Sequence, residues 1–167
     1  MKEVLIYFRA ERAESIVFAV AGIVAVALSV WLWYSIRKPF YNGMATTLSA
    51  IAIIHMVIGL TIYFRTPADI DRVESYIALE QSKIQSEELP RMEKVMKNFV
   101  FLRYTEIVLA TVAIILILYF KSPGYWKGFG AGLFAQALLS LMLDFFAENR
   151  GRIYIDYLKT FVPGNEA

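Results

Sequence analysis

Four stretches of this chain, roughly residues 16–34, 44–64, 101–120 and 129–146, are too long and too apolar for an ordinary water-soluble fold. A helix needs about 20 apolar residues to cross a hydrocarbon core about 30 Å thick. No water is present there to satisfy a backbone, so only helices or a closed barrel can span. None of the four stretches alternates with period two, which leaves helices. The expected fold class is therefore all-α: a polytopic membrane protein built as an antiparallel four-helix transmembrane bundle. Of 167 residues, 58% are hydrophobic, and four spans with their connections use most of that length. One domain covering residues 1–167 is expected, with no soluble domain beside it.

The segment before the first span carries both signs of charge, ending Phe8-Arg9-Ala10-Glu11-Arg12-Ala13. It resembles the start of a signal peptide only in part. The apolar run behind it is longer than a signal core, and Trp31, Trp33 and Tyr34 stand where small residues would mark cleavage. A retained first span is expected.

Composition removes several functions. A net charge of +2, spread along span boundaries, does not suit nucleic acid. There is no cysteine for disulfides, thiol chemistry or iron–sulfur ligation. A single histidine excludes paired axial imidazoles on a haem and argues against a zinc site. Walker, dinucleotide-binding and HExxH sequences are all missing, as is a serine nucleophile elbow. Gly128-Phe-Gly-Ala-Gly132 is glycine-rich but opens a span, which does not suit a phosphate cradle. No catalytic residue, metal or cofactor is expected.

The basic residues divide unevenly among the connections. Thirteen lie in the N-terminal segment, the central loop and the tail, against four (Arg37, Lys38, Lys121 and Lys127) in the two short turns. The positive-inside rule then places both termini and the central loop in the cytoplasm, in the inner membrane if the source is bacterial. Trp31, Trp33 and Trp126 mark the opposite interface, where amphipathic rings favour the headgroup layer.

The two halves resemble each other. Aligning Gly43 with Gly128 also brings Arg65 onto Arg150 and Ile70-Asp71 onto Ile155-Asp156. Arg12 through Ala19 similarly matches Arg103 through Ala110, with the glutamate shifted by one. A tandem of two hairpins inserted the same way round, about an axis along the membrane normal, accounts for this.

Residues 67–99 read as a cytoplasmic helical segment. Thr66 is the expected N-cap, Pro67 the first helical position, and Asp69 the acid at the positive end of the dipole. Ile70, Val73, Ile77 and Ile84 follow at near-helical spacing, residues 86–90 interrupt, and Met92, Val95, Met96 and Phe99 share the next face. In the tail, 150–167, a short companion helix is expected to present Ile153, Tyr154, Tyr157, Leu158 and Phe161. These amphipathic segments either pack on one another as a cap, lie in the membrane interface, or dock a partner.

Polar residues inside spans are costly and point to bundle interiors. His55 sits mid-span, with Ser140 as its counterpart in the second half; a hydrogen bond between helices is the structural alternative to proton relay. Glu14, Arg103, Glu106 and Asp144 all fall near the inner mouth, as a binding cluster or as an ion-pair lock. Gln136, Ser140 and Asp144 follow one another at four-residue steps. Gly128 and Gly132, echoed by Ala21/Ala25 and Ser49/Ala52, allow close helix approach within the chain or between copies.

The function expected is non-enzymatic: protein binding in or beside the membrane, as an accessory subunit, assembly factor or toxin-protective protein. One alternative is a proton- or ion-conducting homo-oligomer using Glu106, Asp144 and His55. Another is lipid or quinone binding in a lateral groove. The expected partners are the lipid bilayer and either another protein or further copies of the chain.

Overall fold

A computed structural model describes residues 2–161 as four long helices, α1 (Lys2–Trp31), α2 (Pro39–Leu79), α3 (Leu89–Tyr119) and α4 (Tyr125–Leu158). All four are long and apolar enough to cross a membrane. Wider helical turns extend α1 over Leu32–Ile36 and precede α3 over Ile84–Glu88. The first extension ends where Arg37, in the left-handed region (φ 52°), donates its N–H to the Leu32 carbonyl. Pro39, which has no N–H to lose, then opens α2.

Close backbone approach shows how the helices run. Gly59 of α2 lies against Ser15 and Ala19, whereas Gly22 lies against Ala52 and Met56, so α1 and α2 are antiparallel. Gly130 against Ala113, with Arg103 bonded to Glu148, shows the same for α3 and α4. Between the hairpins the sense differs. Gly43 touches Tyr125 and Phe129, Gly132 touches Met44 and Thr47, and His55 bonds Ser140, so α2 and α4 lie parallel as the central pair. The four helices thus form two antiparallel hairpins joined through a parallel α2–α4 seam.

That seam is reciprocal at an offset of 85 positions. Gly43 meets Tyr125, and its counterpart Gly128 meets Phe40, the counterpart of Tyr125. Thr47 donates to the Phe129 carbonyl, while Gly132, the counterpart of Thr47, meets Met44, the counterpart of Phe129. A Cβ on Gly128 or Gly132 would collide with α2, so this glycine pair serves packing inside the chain. On α1 the small residues at the contact are Ser15, Gly22 and Ser29, seven apart and buried, in place of Ala21 and Ala25.

The amphipathic segments pack on one another at the end of the bundle that holds both termini. Val4 and Phe8 of α1, Val73 of α2, Ile84, Met92 of α3, and Tyr154 and Leu158 of α4 form one buried cluster. Tyr7 stacks on Tyr154 with ring centroids 4.3 Å apart. Three sequence expectations change here. Thr66 does not cap a helix; α2 runs straight through Pro67, and the Thr66 hydroxyl donates back to the Ile62 carbonyl. Residues 150–158 continue α4 instead of forming a separate helix, and that phase buries Ile155 while leaving Ile153 63% exposed. The interruption falls at 80–83, before the expected 86–90, because Ile84–Glu88 remains helical in wider turns. The end of the tail, 162–167, lies outside the described residues.

Candidate functional site

A cavity of about 400 Å³ lies among all four helices, with His55 and Ser140 in its lining. The backbone of helix α3 approaches that of α4 alone of the other three: among the described residues no Cα of α3 comes within 8 Å of α1 or α2. The lining residues on α1 and α4 are all shielded to some degree from the surface, whereas Ile54 and Ile58 of α2 and Asn98, Leu102 and Thr105 of α3 are exposed. The cavity therefore opens sideways, between α2 and α3.

Its walls combine hydrocarbon with acids. Ile51, Ile54, Ile58, Leu102 and Leu109 contribute hydrocarbon. Glu106 and Asp144 face each other close enough for a side-chain hydrogen bond, and Asp144 also feels the charge of Glu14. Three of the four residues expected at the inner mouth (Glu14, Glu106 and Asp144) thus come together on this cavity. Arg103 does not join them. It pairs with Glu148, outside the cavity lining, and Arg150 lines the cavity instead, bonded to Glu14. Arg150 holds Glu14, Arg65 holds Glu11 and Asp69, and Arg103 holds Glu148, while Arg12 lies over the Tyr63 ring. Among the described residues no ion pair reaches Glu106 or Asp144.

His55, Gln136 and Ser140 all line the cavity and are all buried. His55 Nε2 lies 3.0 Å from Ser140 Oγ, and its ring meets Phe18 edge-on. Gln136 donates to the Leu48 carbonyl at 3.3 Å, which leaves its Oε1 without a partner. Glu106 Oε2 is a second buried acceptor without one. Outside the spans, burial pushes the Glu14 carboxyl above the usual glutamate range, and the bond from Arg150 only partly opposes this. Glu11 is raised in the same way, with Arg65 opposing. No group of three or more His, Cys, Asp or Glu among the described residues is arranged to hold a metal ion.

A second polar assembly was not legible in the sequence. Glu88, 1% exposed, accepts two bonds from Arg91 at 2.8 and 2.6 Å, one from Tyr154 at 3.1 Å and one from Arg72 at 3.4 Å. Asp69 bridges Arg65 at 2.9 Å and Arg72 at 2.6 Å, and Arg65 reaches Glu11 at 3.3 Å. Charges alternate along this chain, so each member is compensated and the assembly clamps α1, α2, α3 and α4 together. Asp69 is therefore a buried bridge and not a dipole cap. The only trace in the sequence is the i, i+3 spacing of Asp69/Arg72 and Glu88/Arg91, a pattern common on solvated helices.

Compared with models of protein families, with curated proteins and with solved structures, the chain matches none of them.

Proposed function

We propose that this chain is a non-enzymatic integral membrane protein that binds an apolar, membrane-dissolved molecule through the opening between α2 and α3. The observation that carries this reading is the sideways mouth, edged by Ile54, Ile58 and Leu102 at the level of the apolar stretches. A molecule diffusing in the bilayer reaches such a site without crossing water. About 400 Å³ also falls within the roughly 300–1,000 Å³ range of small-molecule pockets. Small-molecule binding is favoured over a partner protein at the terminal cap, because the charged groups there are already spent on one another.

Both termini lie in the cytoplasm in this reading, supported by the basic residues gathered at their end and the tryptophans at the other. The chain is a tandem of two hairpins, supported by the reciprocal α2–α4 contacts and by a matching pair on the flanks. Arg12 lies over the Tyr63 ring where, one unit later, Arg103 meets Glu148.

The test is native mass spectrometry of protein drawn gently from its own membrane, beside an Ile58→Trp variant whose indole fills the mouth. A small apolar molecule retained one to one by the wild type and lost from the variant is the expected result. Equal retention by both proteins, or no retained molecule in either, overturns the reading.

A further inference from the structure

Arg65 and Arg150 line the acidic end of the cavity, but neither pairs with Glu106 or Asp144. Glu106 is 8% exposed and Gln136 3%; both line the cavity, and each carries a buried acceptor oxygen without a partner. Asp144 stands against Glu106, and Glu14 adds its charge from α1. Buried carboxyl groups brought together at low dielectric are strongly unfavourable until a proton or another positive charge compensates them. Ion pairing cannot do it from within, since Arg65, Arg103 and Arg150 are each held by other carboxylates. Arg103, three residues before Glu106 on α3, pairs across to Glu148 on α4 and so leaves Glu106 without a cation. Around the acids, Ile54, Ile58, Leu102 and Leu109 offer hydrocarbon.

We infer that the cavity takes a lipophilic organic cation, its charge set against Glu106 and Asp144 and its apolar body along the isoleucine and leucine wall. This rests on the cavity being the binding site proposed above and adds the charge of its occupant. Charge complementarity carries the choice. An anion would meet Glu106 and Asp144, which no guanidinium pairs, and a neutral molecule would leave those two acids to be compensated by protons alone. The side opening explains the apolar half, because a molecule that enters from lipid must first dissolve in it.

The experiment uses the full chain in phosphatidylcholine nanodiscs, with empty nanodiscs subtracted for partition into lipid. Three probes of similar size are compared by equilibrium dialysis: tetraphenylphosphonium, tetraphenylborate and uncharged triphenylmethanol. Saturable binding of tetraphenylphosphonium is expected, tighter than tetraphenylborate by at least about tenfold, an electrostatic preference of modest size. A chain carrying Glu106→Gln and Asp144→Asn should lose at least about tenfold in affinity for the cation and leave triphenylmethanol unchanged. If all three probes bind alike and the amide variant makes no difference, the cation assignment falls while the cavity reading survives. If no probe binds above empty nanodiscs, both fall. The comparison of opposite charges on the wild type needs no variant, so misfolding of the amide chain would not rescue the inference.

Discussion

His55 Nε2 and Ser140 Oγ, 85 positions apart in the chain, lie 3.0 Å from each other on the seam between α2 and α4. They are also counterparts under the alignment of the two halves, so the bond joins equivalent points of the two hairpins. The seam is glycine-tight at the turn end, and the His55–Ser140 bond crosses it in the lining of the cavity. An imidazole committed to a hydroxyl has a packing role, which separates it from the carboxyl pair.

A double-mutant cycle measures that role. His55→Leu and Ser140→Ala should each cost about 1 kcal/mol, with a coupling near 0.6 and below about 1.7 kcal/mol, the range of interhelical side-chain bonds in membranes. Unfolding in mixed micelles followed by circular dichroism gives the three differences. A coupling of zero would show that the bond contributes nothing to stability.

Gly128 should tolerate no side chain. The backbone of Phe40 occupies the place of its Cβ, and Gly43 meets Tyr125 in the same way. Overpacking of this kind costs about 1–3 kcal/mol or more, so Gly128→Leu should lower the unfolding midpoint clearly. Gly124, with open space around it, is the control: Gly124→Ala should leave the midpoint almost where it was. Equal behaviour of the two variants would contradict the close seam.

Glu88 holds the terminal cap. Glu88→Gln leaves Arg91 and Arg72 facing a neutral group; breaking a buried pair on one side costs about 3–5 kcal/mol. Hydrogen exchange should accelerate in residues 2–12, 69–92 and 150–158 while the apolar stretches keep their protection. Uniform loss across the chain, or no change at all, would falsify the clamp as a local unit.

Stability should rise as the solution is acidified from neutral. Burial raises the Glu11 and Glu14 carboxyls above the ordinary value of 4.5. The folded chain therefore binds protons more readily than the unfolded one. Stability is gained as pH falls through the raised values, and the gain ends below the ordinary one. Thermal midpoints at about pH 5 should exceed those at about pH 7.5, and the difference should shrink when Glu11→Gln and Glu14→Gln are combined. A midpoint that drops on acidification, equally in the variant, would reverse the sign and refute the account.

Much of this protein was written locally. Apolar length alone specified four helices able to cross a membrane, because in hydrocarbon a backbone must satisfy itself whatever surrounds it. The glycines at 128 and 132 and the His55–Ser140 correspondence were readable for a related reason: spans of equal length in equal order put matching residues at matching depth. What depth does not encode is direction around the helix axis. Nothing local sends Arg103 to Glu148 and away from Glu106, carries α2 through Pro67, or chooses Ser15, Gly22 and Ser29 over the nearby alanines. Those outcomes follow from which faces meet once α2 and α4 have paired, and that pairing sets residues nearly 90 positions apart against each other. The sideways cavity has the same origin. It exists because the backbone of α3 comes close to α4 and to neither α1 nor α2, a choice made by packing between helices and carried by no single segment.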